Sequence, residues 1–256
     1  MDKSRAVNIF WFRRDLRLPD NAGLYHALKS GNPVLPIFIF DTNIFDQLPS
    51  TADRRVEFIH DTITELQQQL LQLGTSLIVY HNTPINAFKK LLQQYTVGKV
   101  FTNHDYEPYA RERDESIARL LEQHQLSFHT YKDQVIFEKQ EVVKDDGKPY
   151  TVFTPYSKKW KAVLNKFYLK PYSTEKYFSN FHQHPAQAIP SLKALGFRVL
   201  EIWECEAVDQ TRLVKVISRF LKASGNAIRT GSRFGESSGR SERDRSKRAQ
   251  DRKSSM

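Results

Sequence analysis

Cysteine is almost absent. The 256 residues contain one, Cys205, which excludes an intramolecular disulfide framework and any metal centre built on clustered thiolates. A lone cysteine of this kind reads as a small buried hydrophobe rather than a nucleophile. Long apolar runs are missing too, and no stretch approaches the roughly 20 residues that a membrane span requires. Met1 to Ala6 holds two cations and no apolar core, so no secretory leader is expected. Together these absences predict a soluble protein of a reducing, cytoplasmic compartment, monomeric and without membrane contact. Several chemistries are also excluded. No GxGxxG follows the first apolar segment, no GxxxxGK[ST] occurs, and there is neither a GxSxG elbow nor an HExxH pair. His182 and His184 stand two apart with no further ligands nearby and read as surface histidines.

What is present begins with charge. The net charge of +10 suggests acidic partners such as nucleic acid, but half of it lies at one end. From Arg229 to Met256 there are nine Lys or Arg against four Asp or Glu. The remaining chain is only mildly basic.

The chain is organised around its opening. Val7 to Phe12 is an apolar, β-forming run that breaks abruptly into Arg13, Arg14, Asp15, Leu16 and Arg17, which reads as a buried strand delivering a charged loop. Asn21 to Ser30 has helical spacing and stops at Gly31. Val34 to Phe40 is a second strand, ended by Asp41. Arg54 to Leu73 places Val56, Ile59, Ile63, Leu66, Leu70 and Leu73 on one helical face, closed by Gly74. Ser76 to Tyr80 is a third strand, and Pro84 opens a helix that runs to Tyr95. Lys99 to Thr102 is a fourth, followed by Asn103 to Tyr109 and a charged helix to about Gln123. Leu126 to Tyr131 is the fifth. Strands alternating with helices of this length predict an α/β fold: a Rossmann-like, doubly wound, five-stranded parallel sheet over residues 1–137.

Residues 138–200 read as an irregular, aromatic-rich connecting segment that packs on the α/β domain. Tyr150 to Pro155 reads as extended and Tyr156 to Phe167 as helical. Glu201 to Lys222 could form a helix. From Ala223 onward Ser, Gly, Arg and Glu dominate, too little apolar surface to offset the cost of ordering, so residues 201–256 are expected to be a largely disordered basic tail.

With strand order 3-2-1-4-5, the groups after strands one, two and four share one rim at the carboxyl edge, where ligands of open α/β sheets bind. Arg14, Asp15, Asp41, Asp105 and Glu107 fall there, with Phe38 and Phe40 flanking the edge. Such a set suits a pocket for a planar heterocycle. It equally suits plain ion pairing of Arg14 and Arg17 with Asp15, Asp41 or Glu107, and the residues alone leave both readings open.

Four blocks carry a resemblance: Trp11 to Asn21 (WFRRDLRLPDN), Phe38 to Asp41, Asn103 to Asp114 (NHDYEPYARERD) and Val152 to Trp160 (VFTPYSKKW). In order and content they resemble the amino-terminal domain of the DNA photolyase/cryptochrome family, and Ile189 to Phe197 is similar to that family's connection toward its second domain. The resemblance implies a lineage of deoxyribodipyrimidine photolyases, carbon–carbon lyases that split cyclobutane pyrimidine dimers in DNA with light. In it, this domain holds an antenna chromophore and a larger helical domain holds FAD and the lesion. Carried over, Arg14, Leu16, Phe38, Asp41, Asp105 and Glu107 resemble the positions that line the pocket of deazaflavin-binding members. Folate-binding members carry an Asn-Glu pair where Tyr109 and Ala110 stand here, so a deazaflavin or flavin antenna is implied.

The resemblance stops after Phe197. Thr230 to Arg233 is similar in content to the family's Gly-Thr-Ser-Arg phosphate stretch but scrambled in order, and Trp203 is the one tryptophan beyond Trp160. The expectation is a reading frame disturbed after about Phe197, an absent FAD site, weak or no DNA binding and no repair by this chain alone. The alternative is a Rossmann-like nucleotide-binding module with a basic nucleic-acid-binding arm, which predicts salt-sensitive DNA retention.

Overall fold

Val7–Phe12 forms β1, and every one of its residues is buried. A strand covered on both faces needs no polar alternation, and its two sets of side chains go to opposite layers. Phe10 and Phe12 join one core cluster with Leu24, Leu28, Phe38, Phe40, Ile63 and Leu66, while Val7, Ile9 and Trp11 join another with Ile37, Phe88, Leu91, Ile117 and Leu121. Each such large side chain contributes about 1.5–3 kcal/mol by leaving water.

The computed structural model describes residues 6–200, 202 and 209–222. Its elements follow the alternating order expected: β1, α1 (Ala22–Leu28), β2 (Val34–Asp41), the single turn α2 (Thr42–Phe45), α3 (Arg54–Gln72), β3 (Ile78–Asn82), α4 (Pro84–Gln94), β4 (Val97–Asn103), α5 (Pro108–Gln123) and β5 (Ser127–Tyr131). All four strand pairings are parallel, in the order β3-β2-β1-β4-β5. Strand order therefore reverses between β1 and β4, and a Rossmann-like α/β sheet results. Beside β1, the register against β4 shifts between Val7 and Ile9. The buried Asn8 amide fills the break, accepting from the Lys99 N–H at 2.9 Å and donating to Ser30 Oγ at 2.5 Å.

Local chemistry sets the ends. Asp53 caps α3 by accepting from the Arg55 N–H. Gly74, at φ 77°, stops the same helix in the left-handed region that glycine adopts without strain.

Beyond β5, helix α6 occupies Phe153–Val163, three residues ahead of the expected start. Pro155 therefore lies in its first turn rather than in an extended lead, which is allowed because first-turn N–H groups have no helical partner. The helix also ends before Phe167. The Asn165 carboxamide accepts from the Phe167 N–H at 2.9 Å, a local bond that competes with helix continuation. Thr174–Asn180 is a 3-10 helix. The chain then returns along the α1/α3 layer: Phe181 bridges to Val34, the His182 N–H donates to the Val34 carbonyl, and Arg198 N–H donates to the Thr51 carbonyl. Phe181 and Leu195 are buried in that layer's core, so residues up to Val199 form one unit.

The described residues beyond Val199 belong to a second unit. Its described helix, α7, spans Gln210–Lys222, inside the range expected. Trp203, Cys205, Thr230 to Arg233 and the expected tail from Ala223 lie outside the described residues.

Candidate functional site

The carboxyl ends of β1, β2 and β4 build one rim, and the three arginines after β1 divide among four acidic neighbours. Arg13 turns inward. Its side chain is 5% exposed and meets Asp114 of α5 at 2.5 Å, with a further hydrogen bond to the Asn103 carbonyl. Its guanidinium lies 5.0 Å from the centre of the Trp11 ring, as does that of Arg113. Burial is the main cause of a lowered Arg13 pKa, partly offset by Asp114. Arg14 turns outward, 2.8 Å from Glu107 and 3.4 Å from Asp105. Arg17 reaches the other way, to Asp133 beyond β5 at 2.9 Å.

Of the six expected pocket residues, four are brought together. Arg14, Asp105 and Glu107 are in contact, and Asp105 also faces Arg113 at 3.5 Å. Asp41 joins them through the first turn of α5, two residues past Glu107: the Tyr109 hydroxyl donates to Asp41 Oδ2 at 2.5 Å. Asp41 also caps α2 by accepting from the Asn43 N–H at 3.0 Å. Burial raises the Asp41 pKa, opposed by the bonds from Tyr109 and Asn43. The Tyr109 phenol is pushed up to about 12, first by burial and then by the bond to Asp41.

Leu16 and Phe38 are not part of that group. Phe38 is 4% exposed within the α1/α3 core, and Leu16 packs against the same cluster. Phe40 shares that layer, its ring 5.0 Å from Phe38. Phe38 and Phe40 are two apart on one strand and so point to the same buried face, away from the open edge. The hollow inside the rim, between Arg13, Arg14, Asp15, Asn103 and Asp105, measures about 10 Å³. Of the two sequence readings, ion pairing is realised for Arg14 with Glu107, and Arg17 takes Asp133, a partner outside the set considered.

Other residues that hold the rim, Asn21, Asn103, Arg113 and Asp114 among them, carry no assigned role in the sequence. Asn103, Asn21 and Asp15 form a buried network: Asn103 donates to Asp15 and to Asn21 Oδ1, and Asn103 Oδ1 accepts from the Gly23 N–H at 2.7 Å. The signal available was position, since Asn21 closes the arginine loop and Asn103 ends β4. Arg113 and Asp114 gave no comparable signal, because in a charged helix nothing in one dimension marks the turn that faces Trp11. The loop after β4 is latched on its far side by Glu138, which meets His104 Nδ1 at 2.7 Å and accepts from the Tyr106 hydroxyl at 2.8 Å. Burial acts to raise the Glu138 pKa, but these bonds outweigh it and the net shift is downward. Among the described residues no group of three metal-ligating side chains occurs, and no helix is long and apolar enough to cross a membrane.

A parallel sheet with this order, closed at its carboxyl edge by paired charges, defines a Rossmann-like α/β domain. Residues 8–176 match the family model described as DNA photolyase, and the chain belongs to that family. It is 32% identical over 200 residues to a deoxyribodipyrimidine photo-lyase of Synechococcus sp., a match covering 75% of this chain and 40% of that relative. With cryptochrome-2 of Arabidopsis thaliana it shares 35% identity over 168 residues, 64% of this chain and 26% of the relative. A solved structure of a bacterial class III photolyase from Agrobacterium tumefaciens superposes with a TM-score of 0.54 at 26% identity, over 64% of this chain and 32% of the other. The chain thus spans well under half the length of these relatives.

Proposed function

We propose that this chain is the antenna-binding α/β domain of a photolyase lineage whose activity is the light-driven splitting of cyclobutane pyrimidine dimers in DNA. The observation that carries the reading is the meeting of Arg14, Asp105 and Glu107, with Asp41 one hydrogen bond away through Tyr109, at the sheet's carboxyl edge in a chain of this family. Three carboxylates and a guanidinium suit the hydroxyls and ring N–H groups of a deazaflavin or flavin with its sugar-alcohol chain. Such a group would supply light absorption; the residues here bind and orient it. The fit is to its polar side. A hollow of about 10 Å³ admits no ring, and Leu16 and Phe38 are spent on the core, so the binding expected is at an exposed rim and weak.

A folate antenna is disfavoured. Where the family's folate binders carry Asn-Glu, the Tyr109 hydroxyl is engaged by Asp41 and Ala110 is buried at 3% exposure. The 256 residues alone are expected to leave dimers intact, since the activity is that of photo-lyase relatives of which they match 40% or less. The test is the absorption spectrum of protein purified from a flavin-producing host, followed by blue-light irradiation with dimer-containing DNA. A flavin-type band without dimer splitting is the expected outcome. A colourless protein that retains adenine nucleotide instead would overturn the antenna reading, and dimer splitting would overturn the restriction on repair.

A further inference from the structure

A second hollow lies away from the rim, on the other side of the arginine loop, between Arg17, Tyr25 of α1, the residues after β5 and the segment around Tyr168 to Tyr172. Its volume of about 500 Å³ falls in the range of small-molecule sites. We propose that it binds a heteroaromatic ligand carrying an anionic group such as phosphate, at a site separate from Arg14 and Glu107 and independent of the antenna reading.

Three observations point to a ring. The walls are tyrosines, with Tyr25 and Tyr172 at 5.4 Å between ring centres. Tyr168 is held in place by Phe137 at 4.7 Å and by the Lys132 ammonium at 5.2 Å. Around the mouth, Val135, Ile136, Phe167 and Leu169 stand exposed, Phe167 by 79%. Exposed apolar side chains gathered around one concave opening mark a place where something is covered.

The charges point to an anion. Asp133 is already engaged, accepting from Arg17 and from the Ala22 N–H at 2.8 Å. Asp20 is engaged as well, accepting from the Tyr172 N–H at 2.8 Å. Arg17 makes its bonds to Asp133 and the Asp20 carbonyl through Nη2 alone. Its Nη1 and Nε carry no hydrogen bond among the described residues, and the side chain is 41% exposed. With the exposed Lys170 at the edge, the donors left for a ligand are cationic, while the Asp133 carboxylate is buried, its side chain 2% exposed, and the exposed Asp20 is held by the Tyr172 N–H. The site is also built in advance. Thr174 Oγ1 donates to the Leu18 carbonyl at 2.8 Å, fastening the 167–172 segment to the arginine loop, so little ordering is needed on binding.

The test is titration of the full chain with FMN and with AMP, using riboflavin and adenosine as the forms without phosphate. Saturable binding of FMN or AMP, at least about tenfold tighter than of the uncharged partner, is expected from a charge-assisted contact. Lys170→Gln, an exposed change that leaves folding intact, should weaken it about fivefold and Arg17→Gln more, while Arg14→Gln leaves it unchanged. FMN binding alone would assign a flavin phosphate, and AMP binding alone an adenine nucleotide; either supports the site. No binding of either below millimolar, or riboflavin and adenosine binding as tightly as their phosphates, overturns it. Loss of binding on Arg14→Gln but not Lys170→Gln also overturns it and leaves the rim as the ligand's place. FMN binding that depends on Lys170, in a protein that carries no flavin-type band from the host, supports this site and counts against the antenna reading alone.

Discussion

Asn103 and Asp15, 88 residues apart, meet in a buried hydrogen bond from the Asn103 amide to the Asp15 carboxylate. The bond ties the loop after β1 to the end of β4 across the point where strand order reverses. It fixes the base from which Arg14 reaches Glu107. Asn103→Ala would leave a buried carboxylate short of a donor and the Gly23 N–H without an acceptor. The expected loss is about 3 kcal/mol, since buried unsatisfied groups cost 1–3 kcal/mol each and charged ones more. Urea unfolding measures it, and a loss below about 1 kcal/mol would show that water replaces the network.

Gly23 tests the same junction from the helix side. A Cβ there would lie 2.6 Å from Asn103 Oδ1 and 3.1 Å from the Thr102 carbonyl. Gly23→Ala should therefore destabilise by about 1–3 kcal/mol through overpacking, despite alanine's better helix propensity. An unchanged or raised thermal midpoint would contradict the close approach of α1 to β4.

Arg14 and Glu107 make the opposite case. Both are exposed, at 54% and 68% of their side chains, and exposed ion pairs contribute under about 1 kcal/mol. Arg14→Gln is expected to leave the unfolding midpoint in place while lowering flavin-type absorbance per protein several-fold in material from a flavin-producing host. Unchanged absorbance would remove the rim from the binding site.

Acid should weaken the fold first through histidines. His26, His129 and His184 have pKa values lowered from 6.5, burial being the largest cause in each, with Lys29 adding to it at His26 and Lys99 at His129. The unfolded chain therefore takes up these protons first. The stability they contribute is fully present above about pH 6.5 and is lost as pH falls through their folded values. Asp41 and Asp133, raised chiefly by burial, act in the opposite sense. Their contribution is full below the ordinary aspartate value of 3.8 and is lost as pH rises through their folded values. His26→Phe isolates one histidine while keeping a ring against Tyr131, now 4.2 Å away and stacked. Urea midpoints at about pH 7, 6 and 5 should decline less steeply in this variant; an identical slope would remove His26 from the linkage.

The sheet was legible in one dimension because its signals are local. Continuous apolar runs, helical spacing and stop residues at Gly31 and Gly74 depend on neighbours a few positions away, and the family blocks at Trp11 and Asn103 lie in single stretches. So was the shared rim of Arg14, Asp41, Asp105 and Glu107, because parallel order places every strand's carboxyl end on one edge. Side-chain direction was not legible. Phe38 went to the core because a strand covered on both faces has no free side, and Leu16, in the loop after β1, packs half-buried against the same cluster; a residue's place along the chain does not say how far the covering layer extends. Arg13 and Arg14 are adjacent and chemically identical, yet one is buried against Trp11 and the other lies in solvent. Only the positions of Asp114 and Glu107, some hundred residues on, separate them. Sequence alone thus determined the family, the layers and which charges share an edge. Tertiary structure decided which of those charges are spent on one another and that a hollow of about 500 Å³ opens beside Arg17, because cavities arise where distant segments meet without filling the space between them.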